Sequence, residues 1–203
     1  PSTEWTIMFQ AGCTTMAAWA NAANCAMLAE AFRIHGDEEL CAYYTEEAVK
    51  AYRYAEKQEW TQLDDLQNIG TSGMRGRDFK QMAAAFLYNL TGERSWEDVM
   101  AQESVVKDGK SPVFSKQGRN QFYQIWGTAA YLTCPHERHY PELYANMKSS
   151  VNHQADENNV NHMYARPSRR TANDPRWQTS QNLQMVMLAH YIADNSERRS
   201  RLE

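Results

Sequence analysis

Few side chains in this sequence stand at spacings that chemistry uses. Asp64 and Asp65 are adjacent carboxylates in a long polar stretch. Two carboxylates run acid–base chemistry only when both face one pocket, and sequence neighbours need not, so a solvated turn is the competing reading. Asp78 opens an apolar periodic segment, where a carboxylate caps a helix against the positive end of its dipole. His35, His136, His139, His153, His162 and His190 are dispersed, with no H-E-x-x-H or related spacing, which argues against a metal site. Cys13, Cys25, Cys41 and Cys134 form no C-x-x-C pair; buried free thiols are expected, and with them a reducing, cytoplasmic setting. No nucleophile elbow, phosphate-binding loop or dinucleotide fingerprint occurs, so no cofactor is expected.

The elements that would carry these residues are helices. Met16 to Ile34 has Met16, Ala17, Ala20, Ala23, Met27, Ala31 and Ile34 recurring at three and four, the period of one helix face. Gly36 is suited to a left-handed stop and Asp37 to the N-cap of a second helix over Glu38 to Glu56, with Leu40, Tyr44, Ala48, Ala51 and Ala55 inward. The pattern repeats: a helix over Asp78 to Leu90 with Met82, Ala83, Phe86, Leu87 and Leu90 inward, a break, then a helix opened by Ser95 and Asp98 as a capping box. Gln121 to Leu132 and Pro141 to Ala155 read as helices, and Leu183 to Ala193 as another. A last helix begins at Glu197 after the break at Asp194-Asn195-Ser196. No segment reads as a strand. The stretches Gln58 to Arg75, Val106 to Arg119 and Asn158 to Arg176 are long, and they alternate with the short breaks. That alternation predicts helical hairpins in a ring with the long loops gathered on one face.

The chain has 203 residues, 42% apolar and 23% charged, which are the values of one globular domain spanning 1–203. A chain of this length buries roughly 70% of its unfolded surface. Its longest apolar stretches fall short of the ~20 residues a spanning helix needs, so no membrane is expected. With 21 Lys and Arg against 25 Asp and Glu, the net charge is −4, and the basic runs reduce to Arg169-Arg170 and Arg198-Arg199. That composition argues against nucleic acid as a partner. The chain starts at Pro1 and closes on Leu202-Glu203, a pair that often precedes a purification tag, so both ends are expected to be cut.

The segments also resemble a known family. Met16 to Ala55, with Met-Ala-Ala-Trp-Ala, Ala-Met-Leu-Ala-Glu-Ala-Phe-Arg and Gly-Asp-Glu-Glu-Leu, resembles the paired helices that follow the catalytic aspartates of glycoside hydrolase family 9. Asp78 with Met82 to Glu93 resembles that family's D-E-L-x-W-A-A-x-x-L-Y-x-x-T-G-D segment. Trp126-Gly127-Thr128 resembles its W-G-x helix, and Trp177-Gln178-Thr179-Ser180 stands where W-G-S-N is usual. The matches run in order from about Thr14 to Arg199. The resemblance implies an all-α fold, part of an (α/α)6 barrel, and an inverting hydrolase of β-linked gluco- or glucosamino-oligosaccharides. The family's catalytic base lies in D-A-G-D and its acid near the C-terminus past G-R-N-P. Neither motif is present, so the resemblance makes this chain the middle of a catalytic domain, without catalytic carboxylates.

The same resemblance nominates sugar-binding residues, each with a competing structural reading. Trp177 is either a platform for the C–H face of a glucose ring or a core anchor. Trp126 sits in an apolar helix, where core packing is the expectation. Asp78 either binds a hydroxyl or caps its helix, with capping preferred. Tyr164, Arg166 and Arg169 either meet sugar hydroxyls or form loop surface. Met82 replaces the family's tryptophan, and with the free thiols this favours a short-oligosaccharide enzyme inside the cell, such as an exo-β-glucosaminidase. A cut barrel would also expose apolar helix faces and self-associate. The alternatives are a non-catalytic helical-repeat module binding a partner on its long-loop face, and a toroid enzyme of another family.

Overall fold

The computed structural model describes residues 14–58, 75–115, 122–158 and 184–202, and these are mostly helical. Helix α1 spans Thr15–His35 and α2 Glu38–Lys57, α3 spans Gly76–Thr91 and α4 Arg94–Glu103. Two short strands follow, β1 at Phe114–Ser115 and β2 at Phe122–Tyr123, then α5 at Ile125–Leu132 and α6 at Pro141–Asn158. Helix α7 covers 184–191 and α8 Ser196–Leu202. No helix among the described residues is long and apolar enough to cross a membrane.

The first hairpin forms as its residues dictate. Thr14 Oγ1 accepts from the Ala17 N–H at 3.1 Å and starts α1. Gly36 ends it at φ 87°, a left-handed conformation that costs a glycine nothing, and its N–H donates to Phe32 and Arg33 carbonyls. Asp37 Oδ1 then accepts from the Leu40 N–H at 3.0 Å and starts α2. Gly92, at φ 69°, closes α3 in the same way.

Packing follows a simple rule. Helix α1 packs on its return helix α2 and on α3; α3 packs on its return helix α4 and on α5; α5 packs on α6. Helix α8 is tied to α6 by Arg198 with Asp156 at 2.5 Å, and Lys148 reaches Asp194 ahead of α8 at 2.6 Å. Trp19, Tyr52 and Trp96 join α1, α2 and α4 through two edge-to-face contacts, with centroids 4.5 and 4.8 Å apart. Around them lie Ala22, Ala23, Ala26, Ala83, Ala84 and Ala85, all fully buried, which let the helix backbones approach closely.

Several expectations are corrected. The inward face of α1 is Met16, Ala18, Trp19, Ala22, Ala23, Ala26 and Ala29, whereas Ala17, Met27, Ala31 and Ile34 are exposed. Alanine runs almost all round this helix, so periodicity alone does not choose a face, and the large Trp19 ring chooses it by packing on Tyr52. On α2, Ala48 and Ala55 are buried as expected, but Tyr52 is buried too and Leu40 is exposed. Helix α4 starts two residues earlier than a Ser95 cap allows. Its N-cap is Glu93, Ser95 is exposed, and Asp98 instead accepts from the Tyr140 hydroxyl at 2.9 Å. The helix expected from Gln121 begins only at Ile125, and Phe122–Tyr123 pairs antiparallel with Phe114–Ser115. The cause lies in the N–H groups. Those of Tyr123 and Gln124 go to Asp78 and to the Val113 carbonyl, both at 2.9 Å.

Candidate functional site

One end of the bundle gathers the residues with chemical potential, the end that holds the C-terminal end of α4 and the N-terminal ends of α3, α5 and α7. Its centre is Asp78 in the first turn of α3, with no exposed surface. Its carboxylate accepts from the Arg75 N–H at 2.9 Å, from the Arg75 guanidinium at 2.9 and 3.3 Å, from the Tyr123 N–H at 2.9 Å and from Gln124 Nε2 at 3.1 Å. Gln124 is buried and spends its whole amide: Nε2 donates also to the Glu103 carbonyl at 2.9 Å, and Oε1 accepts from the Val105 N–H at 2.9 Å. The Tyr123 hydroxyl donates to Gln184 Oε1, drawing α7 to the same end. Asp78 thus works as cap and organiser. It offers a bound sugar no surface.

Beside this hub lies a polar cleft of about 490 Å3, lined by Trp19, Glu56, Gln58, Arg77, Lys80 and Glu103 together with Ala55. Arg77 Nε and Lys80 Nζ, one helical turn apart on α3, each donate to one oxygen of Glu103 at 2.9 Å. The Lys80 ammonium also stands 5.5 Å from the Trp19 ring centroid, within cation–π range. Burial pushes the Glu103 carboxyl up, but the hydrogen bonds from Lys80 and Arg77 outweigh it and hold the group below the usual carboxylate range. Glu103 is therefore ionised at neutral pH, an acceptor and not a proton donor. The cleft offers ammonium and guanidinium donors, carboxylate acceptors and one amide, while the Trp19 indole at its floor is buried.

The sequence-nominated residues are only partly placed. Asp78 is at the hub. Trp126, two residues after Gln124, is 39% exposed, so the expectation that it packs in the core is corrected: on α5 the inward positions are Ile125, Thr128, Ala130, Tyr131 and Leu132. Met82 is buried in the core and lines no open surface. Trp177, Tyr164, Arg166, Arg169, Asp64 and Asp65 lie outside the described residues. Sequence reasoning missed Trp19, Glu56, Arg77, Lys80 and Glu103. The spacing of Arg77 and Lys80 on one helix face was the only local signal, and their shared carboxylate stands 26 and 23 residues further on.

The opposite end carries a second fully buried carboxylate. Glu97, fully buried on α4, accepts from the Tyr131 hydroxyl at 2.7 Å, from the His139 N–H at 2.8 Å and from His139 Nδ1 at 2.6 Å. These bonds fasten the α5–α6 connection onto α4. Cys134 is buried and Cys25 and Cys41 half-buried, all three as free thiols. Among the described residues no group of three His, Cys, Asp or Glu side chains is placed to hold a metal ion. No protein-family model and no curated protein matches this chain.

Proposed function

We propose that this chain is part of a glycoside hydrolase resembling family 9, acting with inversion on β-1,4-linked gluco- or glucosamino-oligosaccharides. The observation that carries the reading is the packing order. Helix α1 lies against α3 and α3 against α5, while α2, α4 and α6 return beside them, the arrangement expected of successive hairpins in an α/α toroid. Of the family-like segments, Met16 to Ala55, Asp78 to Glu93 and Trp126 to Thr128 lie in order on α1–α2, α3 and α5, and the polar cleft lies beside the N-terminal end of α3 and the C-terminal end of α4. In this reading Trp126 offers a ring face to a sugar, and Arg77, Lys80, Glu56 and Gln58 supply donors and acceptors for hydroxyls.

Inversion needs one carboxylate to activate water and a protonated carboxyl to serve the leaving oxygen, roughly 6.5 to 9.5 Å apart. Two of the buried carboxylates at this end do not fill these roles: Asp78 is saturated by internal donors, and Glu103 is ionised, so it is no acid, with both oxygens taken by Arg77 and Lys80. The base and the acid would come from sequence other than 1–203, and this chain alone would be inactive. The test is hydrolysis of cello- and chitosan-oligosaccharides by the longer gene product, together with the flanking sequence. Absence of a D-A-G-D segment upstream and of a C-terminal Glu motif downstream would remove the enzymatic reading in favour of a helical-repeat binding module.

A further inference from the structure

We infer that Gln124 is a positioning residue for Trp126: its buried amide holds the first turn of α5, and that turn carries the exposed indole. The inference rests on the sugar-binding role proposed for Trp126. A ring face binds a sugar only when its plane is held, and the ends of a helix are the parts that fray. On α5 the usual local anchors are missing. Gln124 is the N-cap residue at φ −113° and ψ 23°, its side chain makes no capping bond to the turn, and the first turn holds no acidic residue. Trp126 is the second residue of this helix and is 39% exposed.

The anchor is tertiary, and it comes from one side chain. Gln124 is fully buried, and its amide reaches three segments. Nε2 donates to Asp78 Oδ1 on α3 at 3.1 Å and to the Glu103 carbonyl at the end of α4 at 2.9 Å, while Oε1 accepts from the Val105 N–H at 2.9 Å. Its backbone is held as well. The N–H donates to the Val113 carbonyl at 2.9 Å, and the carbonyl accepts the first helical bond of α5, from the Thr128 N–H at 3.0 Å. On the other side of Trp126, Gly127 lies so close to Gln81 that a Cβ there would stand 1.8 Å from Gln81 Oε1, which blocks movement of the turn toward α3. Trp126 therefore projects from a backbone fixed on both flanks. Only an amide of this length fits the task. A glutamate has no donor for the Glu103 carbonyl and would set a second carboxylate against Asp78; a leucine offers neither donor nor acceptor, and an asparagine is one methylene shorter.

The test is fluorine NMR of the full-length gene product labelled with 5-fluorotryptophan, the Trp126 signal being assigned by its loss in Trp126→Phe. Affinity for chitosan- and cello-oligosaccharides is measured on the same samples. Gln124→Leu removes all three amide bonds; Gln124→Glu keeps the volume and the bond from Val105, and stands in where the first variant does not fold. The expected result in the folded variant is a shifted and broadened Trp126 signal, an unchanged Trp96 signal, and an affinity reduced by about tenfold, as for Trp126→Ala. A role in stability alone would lower the unfolding midpoint and leave the Trp126 signal and the affinity of the folded protein at parental values, and that result overturns the inference. Weaker binding in Trp126→Ala with parental binding in the Gln124 variants also overturns it, while the sugar-binding role of Trp126 stands. Affinity indifferent to Trp126→Ala removes that role, and the inference falls with it.

Discussion

Asp78 Oδ2 accepts the backbone N–H of Tyr123 at 2.9 Å across 45 residues of sequence, and this bond fixes where α3 meets the segment leading into α5. The same carboxylate holds Gln124, which in turn holds Glu103 and Val105, so one buried group sets the geometry of the long-loop end. Removing it strands several donors at once. Asp78→Ala should cost about 3 kcal/mol or more, the cost of breaking a buried charged network from one side. Asp78→Asn should cost less, because it keeps the volume and one acceptor. Urea unfolding monitored by circular dichroism checks both.

Gly127 on α5 faces Gln81 on α3 with no room to spare. A Cβ on Gly127 would stand 1.8 Å from Gln81 Oε1. Gln81 is fully buried, and neither atom of its amide has a hydrogen-bond partner. Gly127→Ala should therefore destabilise by about 1–3 kcal/mol through overpacking. In a Gln81→Ala background the same substitution should cost markedly less, a non-additivity that a double-mutant cycle of thermal unfolding measures.

The buried tyrosines make the fold sensitive to alkali. Burial pushes the Tyr123 hydroxyl up to about 12, and it raises those of Tyr52 and Tyr131 further, with Glu97 adding to the effect at Tyr131. A group whose folded pKa is raised contributes stability that is complete below its unfolded value, about 10, and is lost as pH climbs toward the folded value. Between pH 10 and 12 the loss for Tyr123 approaches about 1.4 kcal/mol per pH unit. Tyr123→Phe should flatten that slope. Phenolate absorbance recorded alongside unfolding shows whether ionisation and unfolding coincide.

Glu103 gives the opposite sign. Its carboxyl is held below the ordinary range, so its contribution is present above the unfolded value and lost as pH falls through the folded one. Lys80→Met should remove part of this, with the stability difference from the parent shrinking as acid protonates Glu103. Stability measured from pH 7 down to pH 3 for parent and variant resolves the sign.

What the sequence made legible was local. Gly36 and Asp37 announced the first turn because a left-handed stop and a side-chain cap each depend on one residue and its immediate neighbours. On α3 the expected Met82, Ala83 and Leu87 are buried, but Phe86 and Leu90 are only half-buried, and burial extends to Gln81, Ala84, Ala85, Tyr88 and Asn89, which a single apolar stripe does not report. The face of α1 was not legible, because alanine on nearly every side leaves the choice to Trp19 and Tyr52, which are 33 residues apart. Nor were the joins of the site. The bonds of Asp78 to Tyr123, Arg77 to Glu103 and Glu97 to His139 span 26 to 45 residues, and neither period nor capping chemistry reports contacts at that range. Trp126 read as core because its helix is apolar, yet the packing of Tyr131 and Leu132 turns it outward.

Trp126 opens one part of its ring and still covers the rest, so Trp126→Ala should cost about 1–3 kcal/mol of unfolding free energy, and its effect on binding must be read on folded protein. If Trp126 stacks on a sugar ring, the same variant should weaken oligosaccharide affinity by about tenfold, since ring contacts contribute about 0.5–1.5 kcal/mol beyond the area they bury. Intrinsic fluorescence titration of the full-length gene product with chitosan- and cello-oligosaccharides gives the affinity, and urea unfolding of the same variant gives the stability.

The most direct test of the glycosidase reading is the anomeric configuration of the first product. Proton NMR of cello- or chitosan-oligosaccharide hydrolysis by the full-length gene product should show the α-anomer appearing first from a β-linked substrate, with mutarotation following. Initial release of the β-anomer, or no hydrolysis of either substrate, would contradict it.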